Sequence, residues 1–201
     1  MGKVETLYPK FDVMEQKEHW DPHTLQIVED RIKFHQYDSL SQKEAETLFQ
    51  ICSLLLDDTR DSVLHYVLIH FDKKLSSDIG EAQRKKDVPK ESILIREGLR
   101  ALDRLCTVRY GSLFAGLEDQ AQREVIEQMM LGLIELQADG VRIPVQDFFA
   151  KLLSESVSAY YSYPAIWSEI GYAGPAYPRG YVRTERGLTD PWEAKRTDEQ
   201  Q

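Results

Sequence analysis

The sequence predicts an all-α protein, an irregular helical bundle of about five to six helices that ends in a long irregular arm rich in aromatics, proline and glycine. Three observations carry this. Apolar residues recur at three- and four-residue spacing in one stretch after another, the period of a helix with one buried face. No stretch alternates convincingly with period two. Beyond Tyr163, Pro164, Gly171, Gly174, Pro175, Pro178, Gly180 and Pro191 interrupt any helix repeatedly. The 201 residues fit one domain, divided into an N-terminal arm with a short helix (1–38), the bundle (39–163) and the C-terminal arm (164–201).

Residues 1–20 mix polar and aromatic side chains without a period and read as an arm. Asp21-Pro22 is a helix start, with aspartate as N-cap and proline where its missing N–H costs nothing. Leu25, Val28 and Ile32 then share a side of a helix expected to run to about Phe34. Ser41-Gln42-Lys43-Glu44 is a capping box, in which each end satisfies one orphan amide of the first turn. Behind it Ala45, Leu48, Phe49, Cys52, Leu55 and Leu56 form an apolar stripe. Asp57-Asp58-Thr59 interrupts the stripe and is expected to cap the next helix, whose stripe is Val63, Leu64, Val67, Leu68, Phe71 and Leu75.

The polar stretch 76–90, with Gly80, Pro89 and the basic run Arg84-Lys85-Lys86, reads as a surface loop. Ile95, Leu99, Leu102 and Cys106 mark a third amphipathic helix, closed near Tyr110-Gly111 by a glycine. Phe114 and Leu117 belong to a short turn. Val125, Ile126, Met129, Met130, Leu133 and Ile134 form a fourth stripe that ends before Gly140. The last helix starts after Pro144 and turns Phe148, Phe149, Leu152, Leu153, Val157, Tyr160 and Tyr161 inward.

Charge and motif content exclude several functions. Twenty-five basic residues against thirty-four acidic ones leave a net charge of −9, which disfavours nucleic acid and anionic membrane surfaces as partners. No apolar run approaches the ~20 residues that span a bilayer, so no membrane insertion is expected. Residues 1–6 show neither a secretory pattern nor paired arginines, and the expectation is a cytoplasmic protein with reduced thiols. His19 and His23 are four apart, but a helix start falls between them, so capping and aromatic packing outweigh a metal pair. His65 and His70 are five apart and point to different sides of a helix. Cys52 and Cys106 sit on apolar stripes as small hydrophobes. Asp57, Asp58 and Asp61 are explained by capping. No phosphate-binding glycine loop, zinc-helix or nucleophile-elbow motif is present, so no catalytic, cofactor-binding or metal residue is assigned.

What stands out is the distribution of rings. Residues 160–192 hold six of the ten tyrosines, two of the three tryptophans and four of the eight prolines. Such rings anchor interfaces because they bury much area at small entropic cost. Tyr160, Tyr161, Tyr163, Trp167, Tyr172, Tyr177, Arg179, Tyr181 and Trp192 are therefore the candidate partner-binding residues. From Arg179 onward five basic residues balance five acidic ones, so the arm is less repelled by an acidic partner than the bundle is. Two readings stay open and can share residues: the arm grips another protein, or it covers its own bundle.

Several stretches resemble the gluconate 2-dehydrogenase subunit 3 family, small accessory subunits of FAD-dependent oxidoreductases of the glucose–methanol–choline type. They are Gly98-Leu99-Arg100-Ala101-Leu102-Asp103, Tyr110-Gly111 with Phe114 and Leu117, Gln120 and Gln122, Phe148-Phe149 with Leu152, and Tyr160-Tyr161 through Pro164 to Gly171-Tyr172-Ala173-Gly174-Pro175. Together they cover about residues 40–182. The resemblance implies a helical, cofactor-free, non-catalytic subunit that binds a large FAD-bearing catalytic subunit and stabilises it, helps assemble it or aids its export. Members often carry a twin-arginine signal. None is visible here, which favours stabilisation or assembly. An alternative, from the residues alone, is a stand-alone helical binding module whose arm closes over a small ligand.

Overall fold

The computed structural model describes residues 6–33, 35–77, 85–86, 88–183, 185 and 187–196. Its regular structure is mostly helical: α1 (Pro22–Ile32), α2 (Gln42–Leu56), α3 (Asp61–Leu75), α4 (Glu91–Tyr110), α5 (Asp119–Leu131), α6 (Val145–Tyr160) and α7 (Pro164–Ile170). The all-α expectation holds. The chain forms two compact units, residues 35–159 and the two ends together, 1–34 with 160–201.

In the unit 35–159, α4 packs against α2 and α3. Leu48, Ile51, Leu64, Leu68, Ile95, Leu99, Leu102, Phe114 and Phe148 are fully enclosed, each worth about 1.5–3 kcal/mol relative to exposure. The expected stripes of α2, α3 and α4 supply most of these side chains. The capping box forms as its spacing demands: Glu44 N–H donates to Ser41 Oγ, and Ser41 N–H donates to Glu44 Oε2. Arg96 on α4 then clamps Glu44 through Nη1, at 2.8 and 2.9 Å, and also donates to the Ser39 carbonyl. The buried Asp72 carboxylate accepts from the backbone N–H groups of Asp38, Ser39 and Leu40. Both histidines of α3 are bonded, His65 to Tyr37 and the His35 carbonyl, His70 to Glu155.

Local expectations fail at four places in this unit. The Asp57-Asp58-Thr59 stretch does not cap α3, which begins after Arg60 without a side-chain cap. Asp57 instead closes α2 in a left-handed conformation, and Asp58 binds the backbone N–H and guanidinium of Arg60. The fourth stripe is cut short: Gly132 ends α5, Leu133 beyond it is exposed, and Met130 within the helix is exposed as well. On α6, Phe148 and Leu152 are buried, whereas Leu153 and Val157 are exposed.

The fourth difference is a β-hairpin, Leu136–Ala138 with Val141–Ile143, where no strand was expected. Its turn is Asp139-Gly140, both with positive φ, the backbone that a tight two-residue hairpin needs and that Asp-Gly supplies cheaply. Leu136, Ala138 and Ile143 are buried, and the strand Leu136–Ala138 packs on α4. Of the loop 76–90, residues 78–84 and 87 lie outside the described residues, Arg84 among them. Lys85 forms an exposed ion pair with Asp147 at 2.6 Å.

The other unit joins the two ends of the chain. Residues 13–19, expected as an irregular arm, form a 3-10 helix, Val13–His19, capped by Asp12. Asp21 caps α1 as its Asp-Pro sequence predicts, accepting from His23 and Thr24. The helix ends at Ile32, and Phe34 lies outside the described residues. Pro164 does not open an irregular arm but sits at the first turn of α7, where proline is tolerated. Val13, Val28, Trp20 and Trp167 form the small core. Two contacts remote in sequence fasten the ends: Thr6 Oγ1 donates to the Glu169 carbonyl at 2.6 Å, and Val13 N–H to Ser168 Oγ at 3.0 Å.

Candidate tyrosine docking surface

α7 and the chain after it present the rings singled out in the sequence, and the fold sorts them. Trp167 is only 5% exposed. Its indole N–H donates to the Tyr161 carbonyl at 2.6 Å, the Arg31 guanidinium lies 5.4 Å above its ring, and Tyr172 meets it edge-on at 5.4 Å. Trp167 is therefore a core residue of its unit and not a free anchor, because burying so large a ring is what lets this small unit hold together. Tyr160 and Tyr163 are half-buried, and Tyr160 packs edge-on against Tyr161 at 5.3 Å.

Four of the nine candidates stand open to solvent: Tyr161 at 53%, Tyr172 at 41%, Tyr177 at 69% and Tyr181 at 66%. Tyr172 is fixed by its contact with Trp167 and by Gly171, which caps α7 at φ 76°. A side chain at Gly171 would strike the Tyr8 ring at 2.6 Å, and one at Gly174 would strike Trp20 at 2.5 Å. Gly171-Tyr172-Ala173-Gly174 thus lets the backbone lie against two rings while Tyr172 faces outward and Ala173 inward. Partial burial, reinforced by Tyr181, raises the Tyr172 phenol above its ordinary range, so it remains a neutral donor.

Arg179 and Trp192 hold each other. The guanidinium lies 4.9 Å over the indole, donates to Gln16 Oε1 at 3.0 Å and approaches the Ala173 carbonyl at 3.4 Å. Burial lowers its affinity for the proton. The buried Asp190 carboxylate folds the intervening chain by accepting from the N–H groups of Val182 and Arg183. Arg179 and Trp192 thus shape the arm that displays Tyr177 and Tyr181. Sequence reading missed Arg31. It belongs to a helix more than a hundred residues upstream, and nothing at residue 31 signals a tryptophan above it.

Two other residues that carried the family resemblance, Asp103 and Gln122, do structural work. Asp103 is buried, accepts from the Phe114 N–H at 3.1 Å and from Thr47 Oγ1 at 3.3 Å, and is raised above the ordinary carboxylate range by burial. Gln122 donates to the Phe114 carbonyl at 3.0 Å. Both backbone groups of the Phe114 turn are thereby satisfied. The thiols are enclosed, and burial pushes Cys52 up to about 12 and Cys106 to about 11, away from the thiolate form. Among the described residues no three His, Cys, Asp or Glu side chains are grouped to hold a metal ion, and no helix is long and apolar enough to cross a membrane.

On this all-α scaffold four tyrosines stand open to solvent. The model of the gluconate 2-dehydrogenase subunit 3 family matches residues 42–174. The chain belongs to that family. No curated protein and no solved structure matches it. The match ends at Gly174, so Tyr172 falls within it, and Tyr177, Arg179, Tyr181 and Trp192 lie beyond it.

Proposed function

We propose that the protein is a non-catalytic accessory subunit that binds a large FAD-dependent dehydrogenase subunit acting on a sugar, sugar acid or alcohol, and stabilises it or helps it assemble. In this reading the flavin and the substrate chemistry belong to the partner, and assembly takes place in the cytoplasm. The observation that carries it is the set Tyr161, Tyr172, Tyr177 and Tyr181: large, exposed rings, of which Tyr161 and Tyr172 are fixed against a packed frame. Rigid amphipathic rings gain contact area with little loss of side-chain entropy, as central interface anchors must. Family membership supports a partner within a dehydrogenase complex.

The test is purification of a tagged copy from its own cell. The expected result is a stoichiometric complex with a larger, yellow protein whose absorbance is that of bound flavin. A colourless preparation containing this chain alone would overturn the proposal.

A further inference from the structure

The unit 35–159 carries an open groove of about 580 Å³ at the junction of α2 with the Phe114 turn, within the size range of binding pockets. Phe49, Leu68 and Leu113 make it apolar, and Ala45, Ala115 and Gly116 keep it unfilled. Gln50 and Ser112 add neutral polar groups, and the lining carries one charge. Glu46 is the single charged residue among the described lining residues; it accepts from Gln42 Nε2 at 2.9 Å and has no ion pair among the described residues. Tyr37 lines the same groove, and its hydroxyl lies 2.8 Å from His65 Nδ1. His65 Nε2 lies 2.9 Å from the His35 carbonyl, which can only accept. In the tautomer that serves this carbonyl, Nε2 carries the proton, Nδ1 is an acceptor, and the Tyr37 hydroxyl donates to it. What Tyr37 offers a ligand is its oxygen lone pairs. Burial keeps that phenol protonated by raising it.

Gln50 and Ser112 can hydrogen-bond either sign of ligand, but the one lining charge is the Glu46 carboxylate, in a chain of net charge −9, so charge disfavours carboxylates and phosphates. The groove selects for an apolar group accompanied by a positive charge. We infer that this groove is a second docking point for the catalytic subunit and receives an apolar side chain from a segment of that partner in which a lysine or arginine reaches Glu46. The inference rests on the accessory-subunit reading and adds to it a place on the helical bundle and the chemistry of the segment bound there.

The experiment measures affinity between the full-length chain and the co-purified flavoprotein for two groove variants and one control. Ala115→Trp fills the groove, and Glu46→Lys reverses its charge at an exposed position where folding is not at stake. Tyr172→Ala, in the other unit, reports on the tyrosine surface. The expected result is at least tenfold weaker binding for Ala115→Trp. Glu46→Lys is expected to weaken binding severalfold at low salt, with the difference shrinking as salt is added, and both variants should melt like the wild type. If both bind as tightly as the wild type while Tyr172→Ala loses affinity, the groove inference falls and the accessory-subunit reading stands. If the wild-type chain self-associates and Ala115→Trp abolishes that, a second copy fills the groove and the inference is wrong. If Glu46→Lys binds more tightly, the segment is acidic and the inference is equally wrong. A wild-type chain that recruits no flavoprotein removes the underlying reading as well.

Discussion

A methyl group built on Gly98 would lie 2.5 Å from Cε2 of Phe148 and 2.7 Å from Cζ, so α4 and α6 touch where the absence of a side chain on one admits the ring of the other. Phe148 is fully enclosed and cannot swing away. Gly98→Ala is therefore expected to destabilise the unit by about 1–3 kcal/mol through overpacking, despite alanine's better helix propensity. Urea unfolding of the single variant and of Gly98→Ala with Phe148→Leu checks this. The double variant should lose less than the sum of the two singles.

Asp103 provides a second stability test, with a pH dependence of defined sign. Its carboxyl is raised by burial, so the folded state holds this proton more tightly than the unfolded chain does, and unfolding releases it. This contribution to stability is present at low pH and is lost as pH rises from the ordinary aspartate range through the raised folded value. Asp103→Asn keeps an oxygen for Phe114 and Thr47 and should remove that dependence. Asp103→Leu strands the buried Phe114 N–H and should cost about 1–3 kcal/mol more. Denaturant melts of the three proteins at several pH values separate these outcomes.

Glu155 has the opposite sign. The hydrogen bond from His70 at 2.8 Å, helped by Lys74 and Lys151, holds its carboxyl below the ordinary glutamate range. The stability it contributes is present above the unfolded-state value and is lost as pH falls through the lowered folded value. Glu155→Gln should flatten the acid limb of the stability profile, and His70→Phe should shift that limb toward neutral pH. Thermal melting from neutral pH into the acid range reads both.

Trp167 and Tyr172 touch, yet their truncations should be felt in different measurements. Trp167→Ala removes a core ring and is expected to cost about 3–5 kcal/mol, loosening the ends of the chain, which hydrogen exchange of α1 and α7 would reveal. Tyr172→Ala should leave exchange nearly unchanged and cost about 2 kcal/mol of partner affinity if that ring lies at the centre of the interface. Tyr177→Ala and Tyr181→Ala test how far the contact extends along the arm.

By itself the sequence determined the helical class, the capping box at Ser41 and Glu44, the starts of α1 and α6, the glycine stop after Tyr110 and the ring-rich segment, because each depends on neighbours within a turn or two of chain. The hairpin was legible in principle, since Asp139-Gly140 flanked by alternating residues is a turn signal, but a three-residue strand carries too little periodicity to be noticed between helices. Tertiary structure decided the rest. Only folding brings Arg31 over Trp167, Gln16 to Arg179 and Tyr8 against Gly171, and these contacts turn two apparently separate arms into one compact unit. The same packing divides the nine candidate rings and cations into those that hold the unit together and the four tyrosines left facing water. Sequence spacing registers which residues suit an interface. Which of them the fold has already used depends on contacts between segments more than a hundred residues apart, and local chemistry cannot encode that.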